Sequence, residues 1–158
     1  MEALNDIKTW LGQQRRKAVA NRVSTLQSTG RQVLFKGANQ HTKLAAAQKL
    51  AQDAGKELLR VDLSQVVSKY IGETEKNLAA VFEKAAGKNA VLFLDEADAL
   101  FGKRTDVRDS HDKYANQEVN YLLQKIETFP GLVILSSNGK ATIDASLTRR
   151  IRSVIEFE

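Results

Sequence analysis

The sequence predicts an α/β fold, a five-stranded parallel sheet with helices on both faces, and three observations carry that prediction. Ala90-Val91-Leu92-Phe93-Leu94 is an apolar run with no polar alternation, and Leu132-Val133-Ile134-Leu135 is another. Such runs are the pattern of strands buried on both faces. Short apolar runs then alternate with helix-forming segments along most of the chain, which implies parallel strands joined by helical crossovers. Finally, the run at 90–94 ends in Asp95-Glu96, two carboxylates at the carboxyl end of a strand, where open α/β sheets bind ligands. A carboxylate there can hold Mg²⁺ or its water, and its neighbour can polarise an attacking water. A solvated acidic turn is the competing reading.

Composition narrows the classes. The 158 residues suit one domain large enough to bury a core. Apolar content of 42% and charged content of 27% are ordinary for a soluble globular protein. There is no cysteine, which excludes a disulfide framework and a thiolate zinc site. His41 and His111 lie too far apart in sequence to suggest a metal pair. No apolar run approaches the ~20 residues of a membrane span, and the N-terminus lacks a signal-peptide core. A cytoplasmic protein without membrane contact is expected. The net charge of +5 permits an acidic or nucleic-acid partner without demanding one.

In chain order, Leu4, Ile7, Leu11, Ala18, Val19, Val23 and Leu26 fall at helical spacing, so residues 1–29 form an N-terminal amphipathic helical segment. Its Arg15-Arg16-Lys17 cluster is read as a solvated face, with a nucleic-acid patch as the lesser reading. Residues 30–158 form the α/β unit. Arg31–Lys36 reads as its first strand, broken by Gly37. Ala38–Thr42 reads as a loop, and Lys43–Ala54, rich in Ala, Leu, Gln and Lys, as a helix stopped by Gly55. Leu58–Leu63 is the second strand, and Val66–Gly72 a short helix and exposed loop. Glu73-Thr74-Glu75 opens a helix to about Ala86, its acids placed favourably in the first turn. After the central strand comes a charged connection from Asp98 to about Arg108. An amphipathic helix over Lys113–Phe129 presents Val119, Leu122, Leu123 and Ile126 on one face, and Pro130-Gly131 stops it. Leu132–Leu135 is the fourth strand, Ala145–Arg150 a helical turn or two, and Ser153–Phe157 the fifth strand.

Strand, loop, and a helix opening on lysine form the layout of a phosphate-binding loop. Against the pattern G-x-x-x-x-G-K-[ST], Gly37 and Lys43 match, while Thr42 and Leu44 replace the second glycine and the hydroxyl residue. Read alone the match is weak, and an ordinary strand-to-helix turn is the better reading of this segment.

The ordered set of motifs is more specific. From about Gln32 to Glu158 the chain resembles the large nucleotide-binding subdomain of an AAA+ ATPase of the AAA type proper. Val91–Asp98 is similar to a complete Walker B motif, and Ser68–Glu75 to the first pore loop and the helix after it. Leu135-Ser136-Ser137-Asn138 is similar to sensor 1, and Ile143–Arg150 to the arginine-finger segment. Gly102-Lys103-Arg104-Thr105 and Asp112–Glu118 resemble a bacterial subgroup, some of whose members accompany contractile, phage-tail-like particles.

The resemblance implies the P-loop NTPase strand order 5-1-4-3-2, ATP and Mg²⁺ as cofactors, and a role for each matching residue. Gly37, His41, Thr42, Lys43 and Leu44 would line the phosphates, with Lys43 on the β- and γ-phosphates. Asp95 would hold Mg²⁺ through water, Glu96 would activate the attacking water, and Asn138 would help orient that water or sense the γ-phosphate. Arg149 and Arg150 would reach a neighbouring subunit's site and stabilise transition-state charge. Lys69, Tyr70, Ile71 and Gly72 would grip a protein substrate in a ring's central channel. Simple packing of Tyr70 at an interface, and capping of a short helix by Arg149 and Arg150, are the plainer readings.

The departures shape the functional expectation. Leucine at 44 offers Mg²⁺ no oxygen. Thr42 stands where backbone must approach phosphate in a shape glycine tolerates best. The chain also stops at Glu158, before the small helical lid that follows this subdomain in the family. The expectation is an AAA+ ATPase-like domain with a degenerate Walker A loop and weak or absent ATP binding and hydrolysis. It would act as a scaffold or assembly partner, in a mixed AAA+ ring or a phage-tail-like particle, and alone as a monomer or weak oligomer. The alternative is a functional ATP-hydrolysing domain that remodels or threads a protein substrate. Thr42→Gly with Leu44→Thr is then expected to restore Mg-ATP binding.

Overall fold

The computed structural model describes residues 2–20, 30–101, 111–138, 145–151 and 153–157. Ser28-Thr29, most of the 98–108 connection, and Ile143-Asp144 of the arginine-finger segment lie outside the described residues.

The elements are α1 (Glu2–Ala20), β1 (Arg31–Lys36), α2 (Gln40–Asp53), β2 (Leu58–Asp62), α3 (Leu63–Val66) and α4 (Glu73–Lys88). They continue as β3 (Val91–Asp95), α5 (Asp98–Phe101), α6 (His111–Thr128), β4 (Leu132–Ser137), α7 (Ala145–Arg150) and β5 (Ser153–Glu156). The five strands form one sheet in the order β2-β3-β4-β1-β5, which is 5-1-4-3-2 read from the other edge. Every pairing is parallel. The architecture expected from the alternation of segments is therefore the one observed.

Strand geometry divides the core. Leu34, Leu92, Leu94, Val133 and Leu135 face a cluster completed by Leu63, Leu78, Phe82, Leu122, Ile126 and Leu147, so α3 to α7 cover that side. Their neighbours Val33, Phe35, Val91, Phe93, Leu132 and Ile134 face the other side, as the period of two requires. There α2 supplies Ala47, Leu50 and Ala51, and α1 supplies Ile7 and Leu11. An ion pair of 2.9 Å between Lys8 and Asp53 ties α1 to the end of α2. Both Val91–Asp95 and Leu132–Ser137 are buried throughout, which is why they carry no alternation. Among the described residues no helix is long and apolar enough to cross a membrane.

One boundary differs in a way that matters. Residues 40–42, expected in a loop, form the first turn of α2. Asn39 is the cause. It is extended at φ −85°, ψ 99°, and its Oδ1 accepts a hydrogen bond from the Thr42 amide. That is the geometry of a strong N-cap, and it starts the helix three residues before Lys43.

Candidate phosphate-loop site at the carboxyl edge of the sheet

Because all strands are parallel, Lys36, Asp62, Asp95 and Ser137 end along one edge. The candidate residues of β1, β3 and β4 meet there. Gly37 follows β1 at φ +153°, and its amide donates to the Ser137 carbonyl at 3.1 Å. A Cβ at Gly37 would lie 2.3 Å from the Phe157 carbonyl oxygen. The glycine is thus required by the close passage of the chain after β5.

Lys43 is almost wholly buried, at 1% exposure. Its Nζ donates to the same Ser137 carbonyl at 2.8 Å. Burial pushes its ammonium below the usual lysine range, opposed by the charges of Asp95, Asp98 and Glu96. Two backbone amides of the first turn are engaged within the chain. The Thr42 amide is held by Asn39 Oδ1 at 3.2 Å, and the Lys43 amide by the Asn39 carbonyl at 3.3 Å. His41 and Thr42 are exposed, and Leu44 packs against the α1–α2 side of the core.

Asp95 is 3% exposed and its carboxylate has three donors. Oδ1 accepts from the Glu96 amide at 2.9 Å. Oδ2 accepts from Arg60 at 2.9 Å and from the Gln40 side-chain amide. Burial would push this carboxyl up, but the hydrogen bonds from Arg60, Gln40 and Glu96 and the Arg60 charge outweigh it and hold it below the usual carboxylate range. The direct charged partner of Asp95 is Arg60, from β2, while Lys43 lies near enough to feel its charge but bonds to a carbonyl.

Glu96 is exposed, in the left-handed region at φ +56°, a conformation of modest cost for a non-glycine residue. The bend lets the Ala97 amide reach the Ser136 carbonyl at 2.9 Å. Asp98 then receives the Ser137 hydroxyl at 2.9 Å and the Asn138 amide at 3.1 Å, fastening the end of β4 to the turn after β3. Ser136 Oγ is the buried side-chain polar atom left without a hydrogen-bond partner among the described residues.

Sequence reasoning brought Gly37, Lys43, Asp95, Glu96 and Asn138 to one edge, and they lie there. It missed Gln40, Arg60 and Asp98. Asp98 was within reach as part of the Walker B motif, whereas nothing local marks Gln40 or Arg60. Arg149 and Arg150 are not part of this cluster. They end α7, and Arg150 pairs at 3.3 Å with Glu127, at the end of α6 that leads into the opposite edge of the sheet.

Tyr70 and Ile71 are 65% and 74% exposed, with Lys69 and Gly72 beside them on the surface. The loop carrying them is braced from beneath. Thr74 Oγ1 accepts from the Ser68 amide at 2.8 Å, and Ser68 Oγ from the Tyr70 amide at 3.2 Å. Gly72, at φ +80°, turns the chain into α4. A cavity of about 300 Å³ lies between this turn and α6, lined by Ile71, Gly72, Glu75, Gln117, Glu118 and Tyr121.

Residues 33–158 match the family model described as "ATPase family associated with various cellular activities (AAA)". The chain belongs to the AAA family of ATPases. An AAA family ATPase of Sinorhizobium fredii with no assigned role is 34% identical to this AAA domain over 128 residues, covering 80% of the chain and 38% of that protein. Cell division protein C of Sulfolobus acidocaldarius is 33% identical over 123 residues, covering 72% of the chain and 32% of that protein. The proteasome-activating nucleotidase of Aeropyrum pernix is 31% identical over 131 residues, covering 78% and 32%. The AAA domain thus spans roughly a third of the length of these relatives.

Proposed function

We propose that this AAA domain keeps its phosphate loop closed, binds Mg-ATP weakly or not at all, and serves as a scaffold or assembly partner. The observation that carries this reading is the start of α2 at Gln40. A phosphate cradle needs backbone N–H groups directed outward at the anion. Here Asn39 takes the Thr42 and Lys43 amides. The Lys43 ammonium, which would meet the phosphate tip, is turned onto the Ser137 carbonyl. Mg²⁺ needs oxygen lone pairs in a near-octahedral set. With three donors on Asp95 and no oxygen at Leu44, the residues as arranged do not fit that ion.

The second reading is a functional ATP-hydrolysing domain that remodels a protein substrate. The convergence of Lys43, Asp95, Glu96 and Asn138 on one edge favours it. In that case nucleotide must displace the Asn39 cap and release Lys43. Exposed Tyr70 and Ile71 support a protein-facing loop under either reading. The finer placement we propose is a bacterial subgroup member working within a mixed AAA+ ring or a contractile, phage-tail-like particle.

Calorimetry of the purified chain with ATP and Mg²⁺ separates the two readings. No measurable heat of binding, with phosphate release at background, is expected. Low-micromolar binding of Mg-ATP would replace the closed-loop reading with the functional one.

A further inference from the structure

We infer that Gln40 is an internal plug: its side-chain amide occupies the place on Asp95 that a divalent cation would take. The inference deepens the closed-loop reading and rests on it. Gln40 is the first residue of α2, so its side chain leaves the helix N-terminus directly over the sheet edge. It donates to Asp95 Oδ2, the oxygen that Arg60 also reaches at 2.9 Å, while the Glu96 amide takes Oδ1. Arg60 is half exposed and reaches Asp95 from solvent, so it can swing aside. Gln40 is only partly exposed at the start of α2, and leaving Asp95 costs it that charge-assisted hydrogen bond. Arg60 and Gln40 together take both lone pairs of Oδ2, so a metal ion reaches that oxygen only by displacing one of them.

A second observation bears on what the plug covers. Leu94 pairs with Leu135, so Asp95 and Ser136 are level on adjacent strands, about 5 Å apart between backbones. Alternation turns both side chains to the α2 side, and the Ser136 hydroxyl there has no hydrogen-bond partner among the described residues. The chain therefore lacks an oxygen at Leu44 but holds an unused one beside Asp95. With Gln40 removed, Asp95 and Ser136 are left as neighbouring oxygen donors beneath the first turn of α2.

The test uses Mn²⁺ alone, with the full chain, read by the loss of the free-ion electron paramagnetic signal and by the shift in melting temperature. The wild type is expected to bind weakly and to melt alike with Mn²⁺ or chelator. Gln40→Ala, which keeps a good helix former at the start of α2, should bind Mn²⁺ about tenfold more tightly, the worth of one charge-assisted hydrogen bond. The gain should vanish in Gln40→Ala with Asp95→Asn. Equal Mn²⁺ affinity in wild type and Gln40→Ala would overturn the inference, as would a gain that survives loss of the carboxylate. A nucleotide arm is independent of Mn²⁺. In place of the restored binding expected from sequence alone, Thr42→Gly with Leu44→Thr should leave Mg-ATP unbound until Gln40→Ala is added, and binding by the double variant alone would overturn the plug. Calorimetry of the wild type with Mg-ATP tests the closed loop separately, so failure of either claim can be told from failure of the other.

Discussion

Asp95 concentrates the chemistry of the site in one buried carboxylate with three donors. Because those donors hold its folded pKa below the unfolded value near 3.9, its contribution to stability has a definite sign with pH. It is fully present above the unfolded pKa and is lost as pH falls through the folded one. Asp95→Asn should therefore lower stability by about 2 kcal/mol at neutral pH, the scale of hydrogen bonds to a charged group. The gap to wild type should close as the medium is acidified below pH ~4. Urea melts of both proteins across that range check this, and a gap independent of pH would contradict it. The same residue shows the limit of local reading. Its place at a strand end was legible because five apolar residues precede it. Its partners Gln40 and Arg60 lie 55 and 35 residues away in sequence, and neither belongs to a recognisable pattern.

At the scale of elements, the start of α2 decides what the segment 37–44 can do. The sequence reading began the helix at Lys43, where the run of good helix formers opens; in a phosphate loop an interior glycine would keep the preceding residues out of the helix. This chain has no glycine between Gly37 and Gly55, and Asn39 supplies a cap. Nothing then opposes three further helical residues. Asn39→Ala should cost about 1 kcal/mol, and hydrogen exchange should quicken at the Thr42 and Lys43 amides while the rest of α2 stays protected. Unchanged protection at those two amides would show that the cap does not hold the turn. The pore-loop segment was easier to read. Tyr70 and Ile71 sit between polar and glycine residues in a stretch too short for a strand, and both prove exposed.

For the whole molecule, the proposed closed loop bears on assembly. In the family that this chain belongs to, nucleotide bridging two subunits helps to hold the ring. An AAA domain that does not bind nucleotide should remain a monomer or a weak, concentration-dependent oligomer. Light scattering over a concentration series checks this, and a stable hexamer without nucleotide would refute it. Arg149 and Arg150 lie away from the chain's own Lys43–Asp95 cluster. If they serve a competent neighbour, the chain should stimulate that partner's hydrolysis, and Arg149→Ala with Arg150→Ala should abolish the effect.

By itself, the sequence determined the layered sheet, the parallel sense of its strands and the edge at which the candidate residues collect, while the strand order was implied by the family resemblance. The first three follow from periodicity, strand-end chemistry and motif order, all of which are local or nearly so. Whether the segment after β1 is a loop or a helical turn rests on the Asn39 cap, a local signal that the sequence reading passed over. The side chain that meets Asp95, and where Lys43 directs its charge, were decided only in the tertiary structure. The physical reason is the same in both cases. A buried charge or an orphan amide takes whichever partner the packed fold brings within about 3 Å. For this edge those partners came from α2, β2 and β4, elements that meet only once the sheet has formed.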